Sequence, residues 1–336
     1  MDSNFALPHP FYTDHVLYHA YGLRAGLPAV RAWEFKGWRT EATSWKTGCY
    51  IHAGLSSTGP VSIKGREAKK YLQGLVINSL ENFPIGSMKH GVMCTEDGRI
   101  ALHGIIERKG KDHFESYAGG PPGRGENQDV PYDVQIKRLD YYLFQIAGPT
   151  SLQVLEKVTG ENLRDVRFLH FRDTSINGIK SEVGRIGMTG NLAYELHGPI
   201  EDGPAIYDAV YRAGQEYGIE RLGWGTYLCN HVEGGFPQST WTFISAMGAE
   251  RWPMAHADHV LKDGSEIGYS SGTIYSSSFR EFLSLGCIDI EAATVGNEVA
   301  VQWGDYGEAI KSIRATVARF PYLTEGRNSD IDVSRS

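Results

Sequence analysis

The sequence lacks most of the signatures that would announce a chemistry. Its four cysteines, Cys49, Cys94, Cys229 and Cys287, form no Cys-x-x-Cys pair. That excludes a zinc knuckle and a thioredoxin-type redox pair, and scattered thiols fit a reducing compartment. There is no Gly-x4-Gly-Lys-Ser/Thr to cradle a phosphate and no His-Glu-x-x-His to hold a zinc. No apolar run approaches the roughly 20 residues of a membrane helix. Residues 1–12 lack the charged-then-apolar order of a signal peptide, so a cytoplasmic protein without a membrane partner is expected. Basic residues are outnumbered, 33 Lys and Arg against 40 Asp and Glu, for a formal charge of −7. With no extended basic block, a nucleic-acid partner is not expected, because phosphate neutralisation needs clustered cations. No internal repeat is visible.

What remains is an ordinary globular composition over 336 residues, 41% hydrophobic, 22% charged and 11% aromatic. The length suggests two domains, and the aromatic content excludes disorder as the main state. Residues 1–45 show little periodicity. Short strands are expected over 49–65, then a helix over 66–75 with Ala68, Tyr71, Leu72 and Leu75 on one face. Residues 90–107 read as a β-hairpin turning at Glu96-Asp97-Gly98. The Gly- and Pro-rich stretch 119–129 reads as a loop. The apolar run YYLFQIA (141–147) predicts a buried strand, and Thr150 is placed to cap a helix over 151–158. Strands are expected at 182–188 and 193–197, and a helix over 203–217 that Gly218 ends. Past Gly268 the pattern is one of short strands and turns, a small β-barrel or sandwich, followed by a loose polar tail from 325. The expected class is α+β.

His256, Asp258 and His259 lie close together, but a surface loop explains them better than a metal site, and no metal is expected. A second-half group stands out more: Tyr194-Glu195 in a strand-like run, then Tyr227 and Glu233-Gly234-Gly235 after the long helix.

Five blocks alter the weight of that group. MTGNLAYELHGP (188–199), GIERLGWGTYLCNHVEGGFP (218–237), HGVMCTEDGRIALHGII (90–106), YLFQIAGPTSLQVLEKVTG (142–160) and GYSSGTIYSSSFREFLSLGCID (268–289) resemble, in order, segments of the glycine-cleavage aminomethyltransferases. Within that superfamily the chain most resembles the tetrahydrofolate-dependent aryl O-demethylases, through WRTEATSWKTG (38–48), YLQGLVINS (71–79), residues 144–168 and residues 301–322. Glu195 and Tyr227 lie 32 residues apart, as do the pterin-binding Glu and catalytic Tyr of the demethylases. The resemblance implies a folate-binding fold of mixed sheets and helices around a central cleft over 1–250, in two subdomains of about 1–140 and 141–250. A C-terminal β-barrel over 255–325 and a tail over 326–336 would follow.

It also implies a reaction: transfer of a methyl group from a methoxylated aromatic acid to N5 of tetrahydrofolate, with no metal needed. A carboxylate suits the paired donors of a pterin edge. The resemblance assigns that role to Glu195, with Glu233 as a second folate contact and Tyr227 as proton relay to the departing oxygen. His103 occupies the hairpin position where the aminomethyltransferases place a catalytic Asp, and would donate or relay a proton near neutral pH. Tyr194, Trp224, Phe236 and Tyr275 are candidate walls for the pterin or aryl ring, though core packing accounts for such rings as well.

Three departures from the demethylase pattern matter. Its paired histidines are replaced by Ser56-Ser57-Thr58-Gly59. A helix expected after Tyr117 is missing, and 236–268 lacks a family block. The alternatives to aryl demethylation are transfer from an aminomethyl or S/N-methyl donor, which Asp at 103 would have favoured, and non-catalytic folate binding.

Overall fold

The computed structural model of the chain describes residues 17–24, 27–57, 60–96, 98, 100–117, 131–236, 257–304, 309–324 and 326–334. The expected 119–129 loop, most of 236–268 and His256 lie outside them. The chain forms two compact units: Met1–Met93, Leu102–Tyr227 and Gly326–Ser336 make the first, and Cys94–Ala101 with Leu228–Glu325 the second. The division thus falls after Tyr227 rather than near residue 250, and the C-terminal segment belongs to the first unit.

Where the sequence shows little periodicity, the first unit has a hairpin, β1 (Leu17–Arg24) and β2 (Leu27–Glu34), then two single-turn helices, α1 (Trp38–Glu41) and α2 (Ser44–Thr47). Two sheets follow. One is mixed and six-stranded, built from β3 (Cys49–His52), β9 (Tyr141–Ala147), β10 (Phe171–Ile176), β11 (Ile179–Gly184), β12 (Ala193–Pro199) and β13 (Ile219–Arg221) in the order β10-β11-β12-β9-β3-β13. Only β13 runs parallel to its neighbour, β3. Helices α4 (Ser151–Thr159) and α5 (Gly203–Gly214) supply Leu152, Leu155, Ile206 and Val210 to the core against Phe144, Ile146 and Leu196 of this sheet. Each such side chain contributes about 1.5–3 kcal/mol by leaving water. The other sheet runs β5-β6-β7-β4-β8, from β4 (Val61–Lys64), β5 (Met88–Cys94), β6 (Ile100–Gly110), β7 (His113–Ser116) and β8 (Gln135–Arg138). The predicted helix at 66–75 is shorter, α3 (Ala68–Gln73), and buries Ala68, Tyr71 and Leu72 as its spacing requires.

Two local expectations change. Thr150 sits at the N-cap of α4 without a capping bond, and its hydroxyl donates instead to the carbonyl of Tyr217, 3.0 Å away. The polar end of the chain is not loose. Asn328 donates to the Ala193 carbonyl, Arg185 donates to the carbonyls of Asn328 and Ile331, and Val333 joins the core of the first unit. Gly218 ends the second long helical segment as expected, at φ 71°, after a 3-10 turn over Gln215–Tyr217.

The second unit contains most of α6 (Trp224–Gly234) and an antiparallel sheet ordered β16-β15-β14-β17-β18, from β14 (Ala257–Lys262), β15 (Ser265–Ser276), β16 (Glu281–Ile288), β17 (Glu298–Trp303) and β18 (Lys311–Thr316). Val232 packs with Leu283 and Leu285 in its core. The run Gly268-Tyr269-Ser270-Ser271-Gly272 has the spacing of a hydrolase elbow, but it lies inside β15, where the Ser270 and Ser284 hydroxyls meet at 2.5 Å. It is a strand and not the strand-to-helix turn that such a nucleophile needs. Among the described residues no helix is long and apolar enough to cross a membrane.

Candidate functional site

Strand alternation decides which residues of AYELH can act together. Side chains along β12 point alternately to its two faces. Tyr194 and Leu196 enter the hydrophobic core, while Glu195 and His197 turn to the other face. Tyr194 is thus a core ring and does not stand beside Glu195 as a candidate wall. Glu195 pairs across the sheet with Gln145 of β9, whose side-chain carbonyl accepts a hydrogen bond from the Tyr50 hydroxyl at 2.7 Å.

Behind Glu195 lies a buried ionic cluster that the sequence reading did not foresee. His197 Nε2 stands 3.3 Å from Glu195 Oε2. On the other side of the ring, His197 Nδ1 is 3.5 Å from Glu107 Oε1 and 3.6 Å from Glu182 Oε1. Lys109 donates to Glu182 and lies 3.5 Å from Glu107. Glu107 and Lys109 share one face of β6, and Glu115 lies opposite Glu107 on β7. The cluster therefore joins the two sheets of the first unit.

Burial and charge set its protonation. Burial, with the negative charge of Glu182 beside it, pushes the Glu107 carboxyl well above the usual range. Burial would raise Glu182 too, but His197 and Lys109 outweigh it and hold that carboxyl down at about 2. Burial opposes the charged form of His197, yet Glu182, Glu195 and Glu107 push it up to about 10. The consistent state at neutral pH is a protonated Glu107 beside an ionised Glu182, with Lys109 and His197 charged. Ligand atoms of Glu107, Glu182 and His197 lie within 4.8 Å of one another, a spacing that also suits a metal ion. The ammonium of Lys109 already meets two of these carboxylates, so the cluster is better read as an ion network closed by lysine.

Tyr227 lies at the start of α6, and its ring is fully buried. It stacks on His52 of β3, with centroids 4.1 Å apart and planes 5° apart, and Trp224 packs on both rings. His52 Nδ1 is 3.0 Å from the Leu222 carbonyl, which fixes the imidazole in the stack. Gly54 makes room for it, since a Cβ there would fall 2.7 Å from the imidazole and 2.8 Å from Trp224. The sequence reading missed His52, and its only clue was a histidine ending a buried strand. Ser56, by contrast, clips onto β9, donating to the Leu143 carbonyl and accepting from the Leu143 N–H. The stretch read as having lost two histidines is thus partly structural, while a nearby histidine faces the tyrosine. The entry to α6 is held by Glu41, whose carboxylate accepts the N–H groups of Phe35, Lys36 and Gly223 at 2.6, 3.0 and 2.8 Å.

His103 of β6 also has a neighbour that the sequence reading did not name. Its Nε2 lies 3.1 Å from Nδ1 of His90 on β5, with the two rings stacked. Burial lowers His90 below its ordinary pKa and favours its neutral form, so one proton between the two rings suffices for their hydrogen bond.

The remaining candidates belong to the second unit. Glu233 accepts hydrogen bonds from the hydroxyls of Ser276 and Ser278, at 2.5 and 3.3 Å, which ties α6 to the end of β15. Phe236 sets its ring edge-on to His231. Tyr275 is 44% exposed and touches the exposed Phe282. The first unit therefore brings Glu195, Tyr227, Trp224 and His103 into one body, whereas Glu233, Phe236 and Tyr275 lie in the other.

This fold is that of a one-carbon transferase of the glycine-cleavage type. It superposes with a TM-score of 0.70 on the crystal structure of glycine cleavage system aminomethyltransferase T from Bartonella henselae, at 16% identity, covering 90% of this chain and 94% of that one. The model of the GCVT N-terminal domain matches residues 4–241, and the chain belongs to that family of tetrahydrofolate-dependent one-carbon transferases. A sesamin methylene transferase from a Sinomonas species is 27% identical, covering 90% of this chain and 92% of that protein. A syringate O-demethylase from a Sphingobium species is 26% identical over 64% of this chain and 48% of its own length. An aminomethyltransferase from Thermoanaerobacter pseudethanolicus is 23% identical over 74% of this chain and 80% of its own length.

Proposed function

We propose that the protein moves a one-carbon unit from an aryl ether to tetrahydrofolate, the donor being a methoxylated aromatic acid. The observation that supports this most is the presence, in one unit, of a carboxylate that His197 engages and of a buried tyrosine packed against both His52 and Trp224. The residues fit a reduced pterin. Glu195 lies on the face of β12 away from the core, and His197 engages its Oε2, which leaves the other oxygen to accept from the donor edge of the pterin.

Bound tetrahydrofolate supplies the nucleophilic nitrogen that takes the one-carbon unit. The rest falls to this chain. Glu195 orients the acceptor, and holding it in line with the carbon supplies much of the rate. When the C–O bond breaks, its electron pair goes to the aryl oxygen, and Tyr227 donates or relays the proton that makes the phenol a leaving group. Stacking on His52 fixes the plane in which the tyrosine hydroxyl lies. The His90–His103 pair is a second proton-holding group, in place of the aspartate of the aminomethyltransferases.

A second reading is favoured by the coverage of the methylene-transferring relative, which spans nearly all of this chain. In it the donor carbon is a methylene held between two aryl oxygens. The same hydroxyl would protonate the first oxygen released. One experiment tests both: incubate the protein with tetrahydrofolate and a panel of methoxybenzoates and methylenedioxybenzenes, then resolve the folate products by chromatography. A methylated folate supports the first reading and a methylene-bearing folate the second. Turnover only with aminomethyl donors would refute both.

A further inference from the structure

We infer that His197 is a positioning residue that sets the direction in which Glu195 presents its carboxylate. The inference rests on the reading of Glu195 as the folate-binding group and deepens it.

The geometry is that of a clamp with two jaws. Nε2 of His197 meets Glu195 Oε2 at 3.3 Å, and Nδ1 faces Glu107 Oε1 and Glu182 Oε1 at 3.5 and 3.6 Å. Nε2 is hydrogen-bonded and Nδ1 faces two carboxylates at ion-pair distance, so turning the ring would lose one set of contacts. The Tyr117 ring covers its face at 4.6 Å, which closes the remaining freedom. The carboxylates of β6 and β11 are held by Lys109, which bonds Glu182 and lies near Glu107 and Glu115. Tyr141, at the start of β9, and His113, 3.6 Å from Glu115, are outer titratable neighbours of this group.

The cluster is also costly to bury, since each ion loses several kcal/mol of hydration. A hydrophobic filling of the same volume would serve stability as well or better. What such a filling could not do is orient a carboxylate from behind while leaving its other oxygen for a ligand. A charged imidazole that bonds Glu195 on one side and is fixed on the other does this, in the way that an outer carboxylate orients a ligating histidine in metal sites.

The test is a double-mutant cycle read by calorimetric titration with 5-methyltetrahydrofolate, on the full chain, using E195Q, H197Q and the double variant. Loss of one charge-assisted contact is expected to weaken binding roughly ten- to hundredfold in H197Q. In the E195Q background the same change should cost less than about threefold, because the residue it positions is already disabled. The wild-type protein gives a further readout that needs no variant. In 15N-histidine spectra at pH 8, the His197 imidazole should carry protons on both nitrogens and shift on ligand addition. If E195Q loses binding while H197Q binds as the wild type does, the positioning role is wrong and the folate reading stands. If E195Q itself binds normally, the folate reading fails. A His197 signal unmoved by ligand overturns the inference even if H197Q does not fold.

Discussion

Glu41 offers the sharpest test of how the buried Tyr227 is held. It is fully buried at the end of α1, and its two oxygens accept three backbone N–H groups. Two of the bonds, from Phe35 and Gly223, are buried, while Lys36 is partly open to water. A hydrogen bond to a charged group contributes about 1.5–3 kcal/mol, and a buried donor left bare costs a similar amount. Counting only the two buried N–H groups, Glu41→Ala should therefore destabilise the first unit by about 3–6 kcal/mol. That is a large part of the roughly 5–15 kcal/mol that holds a typical domain together. Glu41→Gln keeps the size and one acceptor oxygen, but sets its amide donor against one backbone donor, so about half that loss is expected. The assay is urea unfolding followed by tryptophan fluorescence, with folate binding measured on the folded variants. Gly223 immediately precedes Trp224, so Glu41→Gln should also impair turnover by loosening the entry to α6. A Glu41→Ala protein within about 1 kcal/mol of the wild type would refute the argument, because the N–H groups would then have found other partners.

Further outcomes follow from the same structure. Glu195→Gln should weaken tetrahydrofolate binding at least tenfold, by calorimetry. Tyr227→Phe should lower turnover more than folate affinity, and unchanged turnover would remove its hydroxyl from the mechanism. His231 is buried and pushed down to about 3 from its ordinary 6.5, so the folded state resists its protonation. The part of the stability that depends on His231 should be full above pH 6.5 and fall progressively as pH drops towards 3, because only the unfolded chain binds the proton readily. His231→Asn should flatten that slope in thermal melts run across this range, whatever it does to the absolute midpoint. Truncation before Asn328 should lower the melting temperature by several degrees, because Arg185 then loses its carbonyl partners and the core loses Val333.

The sequence by itself determined the elements whose information is local. The hydrophobic spacing of 203–217 and the bounded apolar run of 141–147 appear as α5 and β9, because periodicity and breaker residues act within a few positions. Strands β5 and β6, the arms of the expected hairpin, are likewise neighbours in a sheet, and a further hairpin is present: Asn177-Gly178, both at positive φ, turn β10 into β11. The family resemblance pointed to Glu195, Tyr227 and His103 as candidates, and strand alternation alone would have set Tyr194 on the other face from Glu195.

Only the tertiary structure decided what those residues touch. His52 reaches Tyr227 because β13 pairs with β3 and leads directly into α6. His197 gains its partners because two sheets bring β6, β7, β11 and β12 together around one buried volume, and no local pattern marks Glu107, Lys109 or Glu182 as members of it. The polar C-terminal segment looks like a tail by composition, yet it is held by backbone carbonyls that any sequence carries. Local propensity is written in neighbouring residues, whereas burial, charge pairing and ring stacking depend on which distant segments the fold makes neighbours, and those contacts set the chemistry.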